Sequence, residues 1–317
     1  MNDNQLPSVA VVVLNWNNYQ DTFQCLDSLF SMSFPSHIWL IDNHSSDDSV
    51  PQIQRYLHSR STISNVSLVC LSENLGYAAG NNVGIAQALE EGAKYVWILN
   101  NDTWVAPDSL AILVDFMREH PEVVICGTSL LEAEKPDIVQ TLGGRLSLVG
   151  TSGNLGPGRV WSSVPLKTIW PDYVVGASML LRSDFVRKNG AFDSRLFLYC
   201  EDVEISLKAR KNGYRLAVLP RARVWHKGGG SVGHRSPIMT YYEVRNRCLV
   251  ARKYRPLGWW VVWGFAFLRA WQRRLCHISD LEDFGYRMRA LQDARHDRSG
   301  PIAFSIPDQL KQGKEAK

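Results

Sequence analysis

The sequence lacks a marked excess of charge and lacks closely spaced cysteines. Its 317 residues contain 35 Lys and Arg against 31 Asp and Glu, so the net charge is only +4. That balance gives no indication of a nucleic-acid-binding protein, for which a strongly basic surface is typical. The six cysteines are far apart and form no Cys-x-x-Cys pair. A reducing, cytoplasmic compartment is the simplest explanation of this wide spacing.

Long hydrophobic runs are also scarce. The first eight residues are polar and show no signal-peptide pattern. The apolar segment 259–268, which contains three tryptophans, is shorter than the roughly 20 residues that cross a bilayer as a helix. Arginines flank it on both sides, as in segments that lie in a membrane interface. A buried helix that covers the rest of the protein, or a dimer contact, explains the segment equally well.

Short apolar runs alternate with helix-like stretches through about residue 130. Strand-like runs occur at Val9–Asn15, His37–Asp42, 66–71, 95–99 and 123–130, and helical patterns at 21–30, 46–57, 79–92 and from Pro107 onward. This alternation predicts an α/β fold with a mostly parallel sheet flanked by helices. Ligands of such sheets bind beyond the carboxyl ends of the strands. The residues that follow each strand are therefore the first candidates for a site.

The first two strands end in polar residues. Asn15 and Asn17 follow the first strand, and Asp42 ends the second. A carboxylate in this position can accept a hydrogen bond from the imide N–H of a pyrimidine base. Asp42 equally suits a plain turn, because Asp, Asn and Ser all stabilise turns.

A glycine-rich cluster precedes the third helical stretch. It contains Asn74, Gly76, Gly80 and Asn81. Small residues at the start of a helix let the backbone approach a ligand and direct N–H groups at an anion. Tight packing of the helix on the sheet is the alternative explanation.

The fourth strand is followed by Asn100, Asn101 and Asp102. An exposed acid here can hold Mg²⁺ or Mn²⁺, which prefer oxygen ligands and share them with phosphates. The alternative is a turn made by Asn and Asp side chains.

Three further polar residues stand out in the second half of the chain. Glu201 and Asp202 begin a predicted helix over 201–212. Acids are common in a first helical turn, but a carboxylate that reaches a substrate hydroxyl can act as a general base. A lone histidine is more often structural, but His226 ends a strand-like run before a glycine-rich stretch, which makes it a better candidate for a ligand.

These clusters, in this order, resemble family-2 glycosyltransferases, in particular the rhamnosyltransferase-like branch that builds surface polysaccharides. The resemblance covers residues 9–247. It depends on eight blocks that read VLNWNN, IDNHSSD, ENLGYAAGNNVG, ILNND, VVGASMLLR, FDSRLFLYCEDVEISLKAR, VWHKGGGS and YYEVRNR. Each block is degenerate, but eight in register with sensible spacing form a specific signature.

The resemblance implies a GT-A fold and an inverting hexosyltransferase. The donor would be a dTDP- or UDP-sugar, with rhamnose as the sugar, and the acceptor a hydroxyl of a glycan or of a lipid-linked glycan. Asp42 would contact the base, and the nucleotide would lie against six further residues: Asn15, Asn17, Asn74, Gly76, Gly80 and Asn81. Asn101 and Asp102 would bind the donor diphosphate, and the divalent cation Mg²⁺ or Mn²⁺ would be held by Asp102 and His226. Asp202 would be the catalytic base with Glu201 beside it, and the pocket between donor and acceptor would be lined by Gly176, Ala177 and Ser178.

The resemblance also implies a division of the chain. Residues 1–135 would form the nucleotide-sugar-binding half of the GT-A domain and 136–235 its metal- and acceptor-binding half. Residues 236–300 would form a basic, tryptophan-rich helical extension and 301–317 a flexible tail. Because acceptors of this family are often lipid-linked, we expect peripheral contact with the inner face of the cell membrane through 252–274.

The sequence departs from the family pattern at two places. The metal motif reads Asn100-Asn101-Asp102 and lacks its first acid, so the protein would supply few metal ligands. Glu204 stands where a second Asp is commoner, and it can instead pair with Lys208 one helical turn later. The incomplete motif leaves open a non-catalytic nucleotide- or carbohydrate-binding protein. A sugar-phosphate nucleotidyltransferase is less favoured, because no basic, glycine-rich loop follows the first strand.

Overall fold

The computed structural model describes residues 8–60, 65–228 and 236–302. The strands in these ranges are β1 (Val9–Asn15), β2 (His37–Asp42), β3 (Val66–Cys70), β4 (Tyr95–Asn100), β5 (Thr103–Val105), β6 (Val123–Glu132), β7 (Val139–Thr141), β8 (Gly144–Leu146), β9 (Ser152–Asn154), β10 (Ser178–Arg182) and β11 (Arg215–His226). The α-helices are α1 (Tyr19–Phe30), α2 (Ser49–His58), α3 (Gly76–Glu90), α4 (Ser109–Glu119), α5 (Ser183–Asn189), α6 (Glu201–Lys211), α7 (Pro237–Tyr254), α8 (Trp259–Leu275) and α9 (Leu281–Arg295).

The main sheet has the strand order β3-β2-β1-β4-β10-β6-β11-β5, and β7 pairs with β6 at its side. β1 runs parallel to both β2 and β4, whereas β10 runs antiparallel between β4 and β6. The expected α/β fold with a mostly parallel sheet is confirmed. The strand order reverses between β1 and β4, which is where sheets of this kind bind ligands beyond the carboxyl ends of their strands.

Helices cover both faces of the sheet. Along β1, Val9, Val11 and Val13 pack into one core with α1 and α4, and the alternate residues pack into a second core with α3 and α5. This arrangement follows from the two-residue period of a strand, which sends successive side chains to opposite faces. All seven residues of β1 are buried, as expected for a central parallel strand.

The helices α7, α8 and α9 pack on one another in a separate apolar cluster. Among the described helices, none combines the length and apolarity that crossing a bilayer requires. α8 is two-sided: Trp259, Val262 and Ala270 are buried, whereas its opposite side exposes large apolar residues. We call this exposed set the α8 stripe; it consists of Leu257, Trp260, Val261, Leu268, Trp271 and Leu275.

Candidate active site

The carboxyl ends of β1 and β2 are joined by a buried polar network. Asp42 accepts hydrogen bonds from Asn15 (Nδ2 to Oδ2, 2.7 Å), from the Ser45 hydroxyl (2.6 Å) and from the Ser45 backbone N–H (2.9 Å). Asn15 and Asp42 are almost completely buried. Asn17 fixes the same turn, because its side-chain oxygen accepts the backbone N–H of Ser46 at 2.8 Å. These residues therefore shape the floor of the crevice.

The glycine-rich cluster begins α3 three residues earlier than the sequence pattern predicted. Asn74 Oδ1 accepts the backbone N–H of Gly76 at 2.8 Å and a hydrogen bond from Asn43 at 2.9 Å. The next two N–H groups, of Tyr77 and Ala78, both donate to the carbonyl of Phe197. The protein thus uses these N–H groups itself, so they are not directed at an anion.

The glycines within α3 serve packing. A Cβ at Gly80 would lie 2.8 Å from a methyl carbon of Leu14, and one at Gly84 would lie 2.5 Å from Val12. Asn81 is fully buried and donates to the carbonyl of Tyr77 at 2.9 Å. Of the two interpretations given by the sequence, close helix–sheet packing is the one that the contacts of Gly80 and Gly84 match.

Asn101 and Asp102 follow β4 at the point where the strand order reverses. Asn101 donates to the side-chain oxygens of Asn15 (3.3 Å) and Thr22 (3.1 Å), which ties the ends of β4 and β1 together. Asp102 lies 3.2 Å from Nε2 of His226, measured from its Oδ1. β5 and β11 bring these two residues together, because His226 pairs with Thr103 in the antiparallel ladder.

The pair of Asp102 and His226 has the chemistry of a partial cation site. Burial acts to raise the pKa of Asp102, but the hydrogen bond and charge of His226 outweigh it, so the pKa is lowered. Nδ1 of His226 lies 2.7 Å from Oε1 of Gln140. When Nδ1 donates this hydrogen bond, Nε2 carries a lone pair that faces the Asp102 carboxylate, as in metal-ligating histidines. Either a proton on Nε2 or a cation bound between Nε2 and the Asp102 carboxylate makes this contact favourable.

One nitrogen and one carboxylate oxygen suit Mn²⁺ or Mg²⁺ when phosphate oxygens and water complete the coordination. Within the ranges that the structure describes, no cluster of three or more His, Cys, Asp or Glu side chains could hold a metal ion. The protein groups at this position therefore fit a cation that is shared with a bound diphosphate. The glycine-rich stretch after His226, at Gly229, Gly230 and Ser231, lies outside the described residues.

Glu201 and Asp202 begin α6 in a buried environment. Burial, followed by the charge of Asp202, raises the pKa of Glu201 to about 8. Burial also raises the pKa of Asp202, against hydrogen bonds from the backbone N–H groups of Gly176 (3.1 Å) and Val203 (2.7 Å). Among the described groups, Oε2 of Glu201 is a buried oxygen without a hydrogen-bond partner. A carboxylate with a raised pKa is suited to accept a proton near neutral pH.

A chain of hydrogen bonds connects the two acidic sites. Asn100 contacts Nε2 of His226 (3.3 Å) with its amide nitrogen, and its amide oxygen accepts the Tyr77 hydroxyl (2.8 Å). The Tyr77 hydroxyl also lies 3.1 Å from the carbonyl of Gly176, whose N–H reaches Asp202. Burial raises the pKa of Tyr77, and so do the charges of Glu201, Asp202 and Asp102. Tyr77 therefore connects Asn100, which contacts the Asp102 partner His226, with Gly176, which donates to Asp202.

The loop before Asp202 is held in an unusual conformation. Phe197, Tyr199 and Cys200 have φ angles of 58°, 67° and 70°, a region that non-glycine residues rarely adopt. Phe197 is the centre of a tight turn in which the Leu198 N–H donates to the Leu196 carbonyl at 2.6 Å. Such conformations persist only where surrounding contacts impose them, and they concentrate at functional sites.

Asn246 of α7 supplies those contacts. Its side-chain nitrogen lies 2.6, 2.7 and 2.9 Å from the carbonyls of Leu196, Leu198 and Tyr199, and its oxygen accepts from Arg245 at 2.9 Å. Asn246 is fully buried. It therefore positions Glu201 and Asp202 without being able to contact a substrate.

A pocket of about 210 Å³ opens beside Asp202. Tyr173, Tyr199, Met239 and Glu243 are among its lining residues. We call it the Asp202 pocket. Its mixture of aromatic and polar side chains is typical of small-molecule sites.

The three small residues predicted to line the donor and acceptor pocket differ in position. A Cβ at Gly176 would lie 3.4 Å from Cβ of Asp202 and 3.5 Å from the Tyr77 hydroxyl, so Gly176 lies directly against both side chains. Ala177 is buried, and its carbonyl accepts the Asn100 N–H at 3.1 Å. Ser178 is a correction: it is buried within β10, where its Oγ accepts from Trp97 at 3.1 Å. The alternation of side chains along β10 directs it into the core rather than into the cleft.

Sequence reasoning missed the residues that connect these parts. Tyr77, Asn100 and Asn246 all occur within the blocks quoted above, but no role was inferred for them. Gln140, which contacts His226, lies outside those blocks.

Comparisons with known proteins indicate the family and the fold. Residues 10–142 match the family model described as glycosyl transferase family 2, and residues 95–247 match that of glycosyl transferase family group 2. The chain is 27% identical over 288 residues to an N-acetylglucosaminyl-diphospho-decaprenol L-rhamnosyltransferase of Mycobacterium tuberculosis, and the match covers 83% of this chain and 90% of the relative.

Two solved structures of glycosyltransferases share the fold. GalNAc-T7 with UDP, GalNAc and Mn²⁺ has a TM-score of 0.66 and 15% identity, with 93% of this chain and 57% of the other covered. The mannosyltransferase PcManGT of Pyrobaculum calidifontis, in complex with GDP-Man and Mn²⁺, has a TM-score of 0.59 and 16% identity, with 99% and 80% covered.

Proposed function

Since this chain belongs to glycosyltransferase family 2, we propose that it transfers one sugar from a nucleoside-diphosphate donor to a hydroxyl group with inversion at the anomeric carbon. The fold is of the GT-A type, and glycosyl transfer from a nucleotide-sugar is the function of this family. The observation that carries the finer proposal is the chain of hydrogen bonds from Asp102 through His226, Asn100 and Tyr77 to the Gly176–Asp202 contact.

The donor diphosphate would lie at the Asp102 side of the cleft. A divalent cation held by Asp102 and His226 would neutralise the charge that develops on the leaving diphosphate. Asn101 would donate to a phosphate oxygen or keep the turn in place through Asn15. The two solved structures above contain Mn²⁺, and the donor set of one nitrogen and one carboxylate oxygen supports the same type of ion here.

Asp202 would act as the general base. Its carboxylate borders the Asp202 pocket, where an acceptor hydroxyl would bind. Burial raises its pKa, which makes it a stronger base than an exposed aspartate. The acceptor oxygen would attack the anomeric carbon from the face opposite the diphosphate while its proton moves to Asp202. A single displacement of this kind inverts the configuration.

Rhamnose is the donor sugar that we propose, carried by dTDP or UDP. The mycobacterial relative is named as an L-rhamnosyltransferase, and its named acceptor carries a sugar on a diphospho-lipid. We propose an acceptor of the same general kind, a glycan or a lipid-linked glycan, in surface polysaccharide synthesis. Asp42 would influence base recognition through the turn that it forms with Ser45.

Peripheral contact with an anionic membrane belongs to the same proposal. The α8 stripe exposes Trp260 at 52% and Leu268 at 68%, which is unusual for large apolar side chains grouped on one side of a helix. Arginines at 269, 273 and 274 adjoin it. Such a combination is typical of helices that lie in a membrane interface.

Donor binding measured by calorimetry tests the site directly. A panel of dTDP- and UDP-sugars is titrated with and without Mn²⁺, and we expect one of them to bind more tightly when the ion is present. Asp102→Ala and His226→Ala should abolish that metal-dependent gain. Asp108→Ala, an exposed acid at the start of α4, is the matched control and should keep it. A gain that survives in Asp102→Ala would contradict the proposed cation site. Binding without consumption of any donor would favour a non-catalytic protein.

A further inference from the structure

A second, larger cavity adjoins the Asp202 pocket. It has a volume of about 460 Å³, within the range of roughly 300–1,000 Å³ that is typical of ligand sites. It lies among α6, α7, α8 and the β8–β9 hairpin, and we call it the α6–α8 cavity. Ser152, Cys200 and Val203 line both this cavity and the Asp202 pocket. A single elongated molecule can therefore occupy the two spaces together.

The inner wall of the α6–α8 cavity is apolar. Leu146, Leu207, Val250 and Val262 line it, with one side of Tyr254. The hairpin closes the cavity on one side: Gly150 packs so tightly that a Cβ would lie 2.8 Å from Val262. Arg255 fixes the same hairpin by donating to the Leu148 carbonyl at 2.9 Å. This wall is suited to a hydrocarbon chain.

The rim of the cavity is basic. Its charged lining residues are Arg210, Lys211, Arg247 and Arg255, and no Asp or Glu is among the lining residues that the structure describes. Two of the four are paired with acids outside the cavity: Arg210 with Asp172 at 3.0 Å and Arg247 with Glu243 at 2.8 Å. The balance at the rim remains positive, which suits an anionic group such as phosphate.

The position of Arg247 connects the two spaces. Arg247 lines the α6–α8 cavity, whereas its partner Glu243, one helical turn earlier, lines the Asp202 pocket. A sugar in the Asp202 pocket would thus have a cation beside the bond to its aglycone. On the outer side, Arg255 and Val262 line the cavity, and the exposed Leu257, Trp260 and Val261 of the α8 stripe lie between them in the chain. The cavity therefore lies close to the surface proposed to contact lipid.

We propose that the α6–α8 cavity binds the phosphate-linked lipid of the acceptor. The acceptor sugar would then reach Asp202, and the phosphate of the acceptor would contact Arg247 and Lys211. The first hydrocarbon units of the lipid would pack against the apolar wall. This inference deepens the proposed function, on which it depends for the identity of the Asp202 pocket. It assigns a binding role to residues that take no part in the transfer chemistry.

Binding of farnesyl diphosphate, a short probe that carries no sugar, tests the cavity apart from catalysis. We expect calorimetry to detect binding of farnesyl diphosphate and to find farnesol and inorganic diphosphate about tenfold weaker or worse, because charge-assisted hydrogen bonds and apolar burial each contribute. Asp102→Ala should leave this binding unchanged, since the donor site is separate. Equal affinity for farnesol and farnesyl diphosphate would overturn recognition of the phosphate.

Two pairs of variants locate the probe. Leu207→Trp fills the cavity and should weaken farnesyl diphosphate binding about tenfold or more. Leu281→Trp places the same side chain at an exposed position at the start of α9, outside the cavity and the α8 stripe, and should not weaken it. Lys211→Glu, an exposed change that keeps the fold, should weaken it by a similar factor, whereas Lys188→Glu at the end of α5 should not. Unchanged binding in both Leu207→Trp and Lys211→Glu would overturn the inference.

The lipid subsite and the transferase activity can be refuted separately. A protein that transfers sugar but does not bind farnesyl diphosphate would refute the lipid subsite and leave the transferase proposal intact. A protein that binds farnesyl diphosphate as described but consumes no nucleotide-sugar would refute the transferase proposal.

Discussion

Replacement of Asn246 by alanine is expected to disable catalysis from a position that no substrate can touch. Asn246 is the side chain that joins the carbonyls of Leu196, Leu198 and Tyr199. These carbonyls belong to the loop that leads into Glu201 and Asp202. The alanine variant leaves the carbonyls buried with fewer donors, and it removes the support of a strained backbone.

The magnitude follows from two opposing contributions. Three non-glycine residues with positive φ cost about 1–2 kcal/mol each, roughly 3–6 kcal/mol together. The amide of Asn246 offers two N–H groups, and losing buried hydrogen bonds of this kind costs about 1–3 kcal/mol each. The strain and the restraint are thus of similar size, so the loop should relax when the restraint is removed. A displacement of about 1 Å at a catalytic group can lower the rate about 100-fold.

The assay is steady-state transfer together with a thermal melt, at a temperature well below the unfolding midpoint. We expect kcat of Asn246→Ala to fall about 100-fold. Metal-dependent donor binding should be retained, because the hydrogen bonds of Asn246 go to Arg245 and to the carbonyls of the loop before Asp202 rather than to Asp102 or His226. Asn246→Asp should be no better, since it replaces the N–H donors by a carboxylate. Asn189→Ala is the control, because it removes a hydrogen bond from a side-chain amide to the Phe185 carbonyl in α5. Normal kcat in folded Asn246→Ala would refute the positioning role.

Four further results are expected. The rate of transfer should rise with pH through the raised pKa of Asp202, because only its ionised form accepts a proton. Glu201→Gln should keep this rise of the rate at acidic pH, but it should remove any change of the rate near pH 8, the pKa of Glu201. Glu201→Gln should also be more stable than the parent protein, by a margin that grows to a few kcal/mol as pH rises from about 4.5 to about 8. The reason is that a carboxyl group whose pKa is raised in the folded state loses its stability contribution over that pH window. Equal thermal midpoints of the two proteins across this range would contradict the buried state of Glu201. The product sugar should carry the anomeric configuration opposite to that of the donor in NMR spectra taken during turnover, and retention would exclude a single displacement. Trp260→Ser with Leu268→Ser should reduce flotation with anionic liposomes at low salt, whereas Leu148→Ser, another exposed apolar position, should not; failure of the parent protein to float would remove the membrane proposal.

The location of the site could be predicted from the sequence because of a property of parallel sheets. The ends of parallel strands meet at one edge, so Asn15, Asp42 and Asp102 were expected to lie near one another. The amphipathic pattern of 201–212 likewise predicted the helix that carries Asp202. These inferences depend on local periodicity and on one topological rule, and both can be recognised in a single chain.

The connections within the site could not be predicted in the same way. Tyr77 reaches Asn100 and Gly176 across 23 and 99 positions, and no periodic pattern encodes such contacts. The sequence also could not decide between ligand binding and packing for Gly80, because both require a missing Cβ; only the approach of Leu14 distinguishes them. The resemblance implied that Ser178 lines the pocket together with Gly176, but Ser178 begins the buried strand β10 and its side chain lies in the core.

The general-base role of Asp202 is tested most directly by the transfer rate of Asp202→Asn at saturating donor and acceptor, with donor affinity measured on the same protein. We expect kcat to fall by about 10²–10⁴-fold, the usual contribution of a general base, while the metal-dependent affinity for the donor at Asp102 is retained. Near-normal transfer by a folded Asp202→Asn protein would contradict it, because no carboxylate would then be needed where the acceptor proton leaves.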